Sequence, residues 1–204
     1  TEDSGHDGIH TFYLEKGAKV RYVEKHYGEG DPGTTGKRLM NPTTVVHLKE
    51  DAQMVMETSQ IAGIDDTLRI TKADLADRAK LEIHDSIMTT GDQNADAEFT
   101  ADLNGEDCSC NIVSRTVAKG NSKQHYTSTL NGNNRCAGHT ECDSILLDQA
   151  YVLATSQLSA ATMEASLIHE AAIGKIAGEQ LIKLMTLGLT EEEAEEQIIS
   201  GFLK

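Results

Sequence analysis

The sequence predicts a mainly β protein: a parallel β-helix core over residues 1–173, followed by a short C-terminal α-helical hairpin over 174–204. Three observations predict it. A leucine-led pattern recurs along most of the chain, each copy runs on in strict apolar/polar alternation, and the C-terminal end switches to helical spacing.

The repeat is clearest in Leu14-Glu-Lys-Gly-Ala18-Lys-Val20, Leu48-Lys-Glu-Asp-Ala52-Gln-Met54 and Leu75-Ala-Asp-Arg-Ala79-Lys-Leu81. Each continues with an apolar residue two places on: Tyr22, Met56 and Ile83. That period is the mark of a strand with one buried face. The frame recurs with longer turns, from Leu103 to Cys108, Cys110 and Ile112, and from Leu130 to Cys136, with a further Leu at 158. The leading leucines are spaced by 34, 27, 28, 27 and 28 residues, room for two or more short strands per unit. Units of that length suit one coil of a β-helix, with the leucines stacked in one column and the Ala/Cys positions in another. A β-sandwich is the competing architecture and does not need such even spacing.

Beyond Gly174 the period changes. Lys175, Ile176, Leu181, Ile182, Leu184 and Met185 fall at helical spacing, with Gly188 placed as a C-cap. Thr190-Glu-Glu-Glu193 then forms a capping box that opens a second helix through Ala194, Gln197, Ile198 and Phe202. Two helices joined by one tight turn make the hairpin.

Composition narrows the function. The 204 residues carry 33 acidic and 18 basic side chains, a net charge of −15. Such a surface repels phosphate backbones and anionic lipid, so nucleic acid and membrane are not expected partners. No apolar run approaches the length that crosses a bilayer, and the polar start has no secretory signal, so a cytoplasmic location is expected. The chain also starts abruptly and without Met, as a fragment does. With no Trp, three Phe and five Tyr, the core must use small and branched side chains. Scarce rings also weigh against a carbohydrate groove.

Four cysteines lie between 108 and 142. Cys108-Ser-Cys110 places both thiols on one strand face, the inward face by the repeat frame. Cys136 falls at the matching place one coil later, and Cys142 shares its parity. The thiols are expected in neighbouring coils, close to one another. Soft sulfur ligands suit zinc or an iron–sulfur centre, but C-x-C…C-x5-C matches no standard run, and buried free Cys is also a common small apolar filler. His169-Glu170 is the other constellation; on a strand its two side chains point to opposite faces. His84, Asp85, His125 and His139 add little. No nucleophile–base pair, phosphate-binding loop or hydrolase carboxylate pair stands out, so an enzyme is not expected.

Three stretches carry a resemblance: His139-Thr-Glu-Cys142-Asp-Ser-Ile-Leu-Leu147, His169-Glu-Ala-Ala-Ile-Gly-Lys-Ile176, and Glu179 through Gly188-Leu-Thr-Glu-Glu-Glu-Ala194 to Phe202. In order and separation, over roughly residues 130–204, they resemble the SufB/SufD family. The resemblance implies a right-handed parallel β-helix whose C-terminal helices dock the ABC-type ATPase SufC. It implies a scaffold that is not itself an enzyme, assembling a transient iron–sulfur cluster and pairing as a homodimer or with a sister SufB or SufD chain. On this sequence the family's assembly cysteine falls on Cys142, its glutamate ligand on Glu170 and the neighbouring histidine on His169. Cys108, Cys110 and Cys136 remain weaker metal candidates. His-Glu at 169–170 and the Cys between Glu141 and Asp143 look like SufB, whereas SufD tends to lack that Cys. The usual SufB N-terminal region, with any sulfur-acceptor or flavin site there, has no counterpart. The alternatives are a SufD-like structural subunit without a cluster, a self-assembling structural β-helix, and a β-helix hydrolase or lyase.

Overall fold

The computed structural model describes residues 3–28 and 36–204. Within them fourteen strands run β1 (Ser4–His6), β2 (Ile9–Leu14), β3 (Lys19–Tyr27), β4 (Arg38–Met40), β5 (Thr43–Leu48), β6 (Gln53–Ala62), β7 (Asp66–Leu75), β8 (Lys80–Thr89), β9 (Asn94–Leu103), β10 (Cys108–Ala118), β11 (Lys123–Gly132), β12 (Cys136–Leu146), β13 (Tyr151–Ala160) and β14 (Ala165–Gly174). Two helices follow, α1 (Gly178–Thr186) and α2 (Glu191–Phe202). The strands alternate between two sheets. One takes β1, β2, β4, β5, β7, β9, β11 and β13, the other β3, β6, β8, β10, β12 and β14. Every pairing is parallel and joins strands one coil apart, as in the register Met54–Leu81–Cys110–Gly138–Leu167. The chain is a parallel β-solenoid with a helical hairpin at its C-terminal end.

Where the first sheet is broken, the break has a chemical cause. Pro42 has no N–H to give the ladder, and β4 ends two residues before it. Beside the break the Asn41 side chain supplies local partners: its Oδ1 accepts from Leu68 N–H at 3.0 Å, and its Nδ2 donates to the Asp7 carboxylate.

The turns stack as closely as the strands. Gly17, Asp51, Arg78 and Asp107 hold equivalent places, one residue before Ala18, Ala52, Ala79 and Cys108, and have φ of 71°, 59°, 55° and 58°. That left-handed geometry suits Gly and is tolerated by Asp; for Arg it costs about 1–2 kcal/mol. A fork holds Arg78 there: Nε donates to Asp51 Oδ1 at 2.8 Å, and Nη2 reaches Asp51 Oδ2 and Glu50. Arg135 repeats the fork on Asp107.

Inward side chains fill the lumen. Leu14, Leu48, Leu75 and Leu103 stand in one register column, and Ala52, Ala79, Cys108 and Cys136 are all buried at the start of the facing strands. The expected leucine column ends there, which corrects the repeat frame. The next place belongs to Gly132, not Leu130, and Leu130 pairs with Ala101 and Leu158 instead. Volume explains the exchange. A Cβ on Gly138 would lie 2.7 Å from Leu167 Cδ2 and 3.1 Å from Leu130 Cδ1, so Leu130 and Leu167 occupy the room that the two glycines leave. Each fully buried leucine contributes about 1.5–3 kcal/mol.

Thr190 caps α2 as expected: its side chain accepts from Glu193 N–H while the Glu193 carboxylate accepts from Thr190 N–H at 2.7 Å. Ala194 and Ile199 are buried, and Lys119 pairs with Glu195 at 2.6 Å. Ser86 Oγ donates to Leu203 O, so the helix lies against the outer face of the second sheet. By contrast, α1 buries no residue and leaves Ile182, Met185 and the following Leu187 exposed. No helix among the described residues is long and apolar enough to cross a membrane.

Candidate functional site

The C-terminal coil gathers the residues singled out above. Strand β12 carries His139, Glu141 and Cys142, and β14, last in its sheet, carries His169 and Glu170. Register sets Thr140 beside His169, Glu141 beside Glu170 and Cys142 beside Ala171. Alternation then decides what meets what.

Cys142 points into the lumen and is 0% exposed. Burial pushes its thiol up to about 11, against a hydrogen bond from Ser144. His169 is on the same side, half-buried, with Nδ1 donating to Thr140 O at 3.2 Å. Glu170 is on the other side, exposed to solvent, with Glu141 and His139. The structure therefore brings His169 to the edge of the lumen near Cys142 but leaves Glu170 across the sheet from that thiol.

The expectation that all four thiols lie close together needs correction. Cys108 pairs in register with Cys136, and Cys110 follows two residues on, so these three share one end of the lumen. Cys142 lies six residues farther along β12, about 20 Å at the rise of a strand. All four thiols are free and buried. Burial raises the Cys108 thiol to about 11 and the Cys110 thiol to about 12, so at neutral pH both are small neutral fillers.

What surrounds Cys142 escaped the sequence reading. Its register column runs Thr58–Asp85–Ser114–Cys142, so the lumen turns polar toward the strand ends. Asp85 and Arg69 form an ion pair inside the solenoid, 1% and 3% exposed, and Thr58 Oγ1 donates to the same carboxylate. His26 Nδ1 lies 3.2 Å from Arg69 Nη2, and Glu24 follows 3.0 Å from His26 Nε2. Asp85 Oδ2, Arg69 Nε and Ser114 Oγ have no hydrogen-bond partner among the described residues. A signal existed: Arg69 and Asp85 stand at inward parity within their strands, where a charge is out of place.

Outside the sheet, His139, Glu141 and Glu170 bring one ligand atom each within 4.8 Å of one another. Burial and the adjacent Asp143 carboxylate raise the Glu141 carboxyl above its ordinary range. Of the three, sequence reading had chosen only Glu170.

A parallel β-solenoid that ends in a helical hairpin, with thiol, imidazole and carboxylate groups on its last coil, is the class these features define. Residues 2–202 match the family described as SUF system FeS cluster assembly, SufBD core domain. The chain is 30% identical over 203 residues to an iron-sulfur cluster assembly SufBD family protein of Methanothermobacter thermautotrophicus, covering 97% of this chain and 48% of the relative. A SufBD family protein of Methanocaldococcus jannaschii is 32% identical over 192 residues, covering 93% and 60%, and one of Pyrococcus horikoshii 28% identical over 205, covering 99% and 61%. The chain belongs to the SufBD family of iron–sulfur cluster assembly proteins. It spans about half to three-fifths of the length of these relatives.

Proposed function

We propose that the chain is a scaffold on which an iron–sulfur cluster is built and released in the cytoplasm, working in a complex with a SufC-type ABC ATPase. Cys142 is the thiolate ligand, Glu170 the second ligand and His169 their helper. The cluster is cargo: a thiolate and a carboxylate hold iron loosely enough to give it up. One observation carries this reading. The Cys142 thiol is sealed in the lumen, yet a single strand, β14, separates it from the edge of the sheet, and that strand itself bears His169 and Glu170.

In the closed pairing, Cys142 and Glu170 face opposite sides. Peeling or rotating β14 is the smallest movement that exposes the thiol and frees Glu170 to approach it. An ATPase partner would drive that movement through the hairpin that follows β14, where Ile182, Met185 and Leu187 offer an apolar docking face. Pairing of two scaffold chains, either two copies or one with a sister chain, would shield the opened strand. A second reading, a SufD-like subunit that shapes the complex without holding a cluster, is favoured by the burial of Cys142.

Anaerobic reconstitution with iron and sulfide decides between them, comparing the parent with Cys142→Ala and Glu170→Ala, with and without SufC and ATP. A scaffold gives visible cluster absorbance and bound sulfide that Cys142→Ala abolishes. If Cys142→Ala gives as much cluster absorbance as the parent in every condition, the scaffold reading is refuted.

A further inference from the structure

Three side chains on the outer face of the second sheet, His139, Glu141 and Glu170, bring one ligand atom each within 4.8 Å of one another. His139 and Glu141 alternate along β12, and Glu170 is the register neighbour of Glu141 on β14. Side by side on adjacent strands, two carboxylates repel and cost stability unless something positive lies between them. His139 stands beside them without a hydrogen bond to either carboxylate. Its Nδ1 donates to Asn111 Oδ1 at 2.8 Å; because that oxygen can only accept, the proton sits on Nδ1. Nε2 is the ring atom turned toward the carboxylates, with Glu170 Oε2 at 3.9 Å. That separation is too long for a hydrogen bond. Arg115 acts on the Glu141 carboxyl by its charge, while its hydrogen bond goes to Phe202 O at 3.5 Å. Among the described residues, neither glutamate has a Lys or Arg partner within ion-pair distance.

Three ligand atoms that converge within 4.8 Å without a hydrogen bond among them are complementary to a cation, and their chemistry narrows which. One imidazole nitrogen and two carboxylates suit a first-row divalent ion better than calcium or magnesium, which favour oxygen throughout. Around an ion held at about 2.1 Å, neighbouring donors stand roughly 3–3.5 Å apart. Drawing ligand atoms that lie within 4.8 Å of one another inward by about 1 Å or a little more would close the site, within the reach of side chains open to solvent. Three protein ligands also leave coordination positions vacant, as a site that hands its ion onward requires.

We propose that His139, Glu141 and Glu170 form a binding site for divalent iron on the outer face of the solenoid, with Asn111 as the positioning residue that fixes the His139 tautomer. The identity of the ion as iron rests on the scaffold reading; the donor set rests on the geometry alone. Glu141 is the residue next to Cys142 and faces the opposite side, so iron held here waits across one sheet from the thiol.

The test uses Mn2+ as the probe, because it is paramagnetic and close to Fe2+ in its ligand preferences, followed by Fe2+ under anaerobic conditions. Equilibrium dialysis and pulsed electron paramagnetic resonance are applied to the parent, His139→Ala, Glu141→Gln, Asn111→Ala, Asn111→Asp and Cys142→Ala. The site is expected to bind one ion per chain with a nitrogen coupling from imidazole. His139→Ala should abolish that coupling, and Glu141→Gln should weaken binding about tenfold or more. Asn111→Ala should cost about 10–100-fold, the usual effect of losing the partner of a ligating histidine. Asn111→Asp keeps the acceptor and restores binding, and Cys142→Ala changes nothing. Apart from the buried Cys142, these positions are on the solvent side, and folding of every variant is checked by circular dichroism. If the parent shows no imidazole coupling, or if His139→Ala binds Mn2+ as the parent does, the site is refuted while the scaffold reading stands. If Mn2+ binds as expected but no cluster can be reconstituted, the scaffold reading fails and this site survives.

Discussion

Removing Arg69 should destabilise the protein far more than removing any single apolar side chain near it. The pair it makes with Asp85 lies inside the lumen, with side chains 4% and 0% exposed. Asp85 already has one oxygen without a partner among the described residues. Arg69→Ala would strip the other oxygen of its charge partner and leave a carboxylate in the interior with only the Thr58 hydroxyl. Breaking one side of a buried pair typically costs about 3–5 kcal/mol, because the survivor remains desolvated and uncompensated. Asp85→Ala should cost a similar amount, since Arg69 would then keep only His26. Replacing both at once, Arg69→Met with Asp85→Leu, should cost no more than about 3 kcal/mol, because no charge is left behind. The two single costs sum to about 6–10 kcal/mol, so the double-mutant cycle should show coupling of at least about 3 kcal/mol. Urea unfolding followed by circular dichroism measures all four stabilities. Hydrogen exchange in β7 and β8 covers the case in which coils open separately. Arg69→Ala costing less than 1 kcal/mol, or single costs that simply add, would show that the pair is not paid for in the way its burial implies.

Two further outcomes follow from packing and ionisation. An added Cβ at Gly105 would come within 2.1 Å of Ala76 C and Asp77 N, backbone atoms of the coil below that cannot rotate away. Gly105→Ala should therefore lower stability by about 1–3 kcal/mol or more, whereas Gly174→Ala, with nothing within 4 Å, should stay within about 0.5 kcal/mol; thermal melts of both test this. The Cys108 and Cys110 thiols titrate higher in the folded chain, about 11 and 12, than the model-compound value of 9.0. Their contribution is complete below pH 9 and is lost as the pH rises toward 11–12, since only the unfolded chain then gains by releasing the protons. Denaturant midpoints measured from pH 8 to 11 should fall, and the fall should shrink in Cys108→Ala/Cys110→Ala.

The sequence showed the solenoid because its signal is periodic and local. Alternation from Met54 to Met56 or from Leu81 to Ile83 states which face is buried, and even spacing states that the units stack. Thr190 with Glu193 announced the start of α2 for the same reason: a capping box is read from four consecutive residues. Register across coils is not local. Nothing in Leu130 distinguishes it from Leu103; what separates them is the room beside Gly132 and Gly138, which exists only once the neighbouring coils are in place. The same limit hid the relation between the site residues. Parity placed Cys142 inside and His169 and Glu170 on opposite faces, but the meeting of Glu141 with Glu170 depends on the alignment of β12 with β14. The separation of Cys142 from the other thiols was within reach, because six residues of strand fix it.

The lumen is apolar at one end of the second sheet and polar at the other, and Cys142 sits at the polar end. Around Cys108, Cys110 and Cys136 the neighbours are Leu81, Leu103, Leu130 and Ile112, so those thiols help to fill a conventional core. Around Cys142 stand Asp85 and Ser114 in its register column and Ser144 two residues along its strand, with Thr116 Oγ1 donating to Ser144 Oγ at 2.9 Å. Polar groups buried without full partners cost stability, and a structural filler at position 142 would not require them. An apolar wall would make ionisation of that cysteine harder still and would leave β14 firmly seated on a greasy coil. A polar one lowers the cost of separating β14, because the groups uncovered already prefer water. The polar end of the interior therefore coincides with Cys142, a cysteine that lies a single strand from the edge of its sheet.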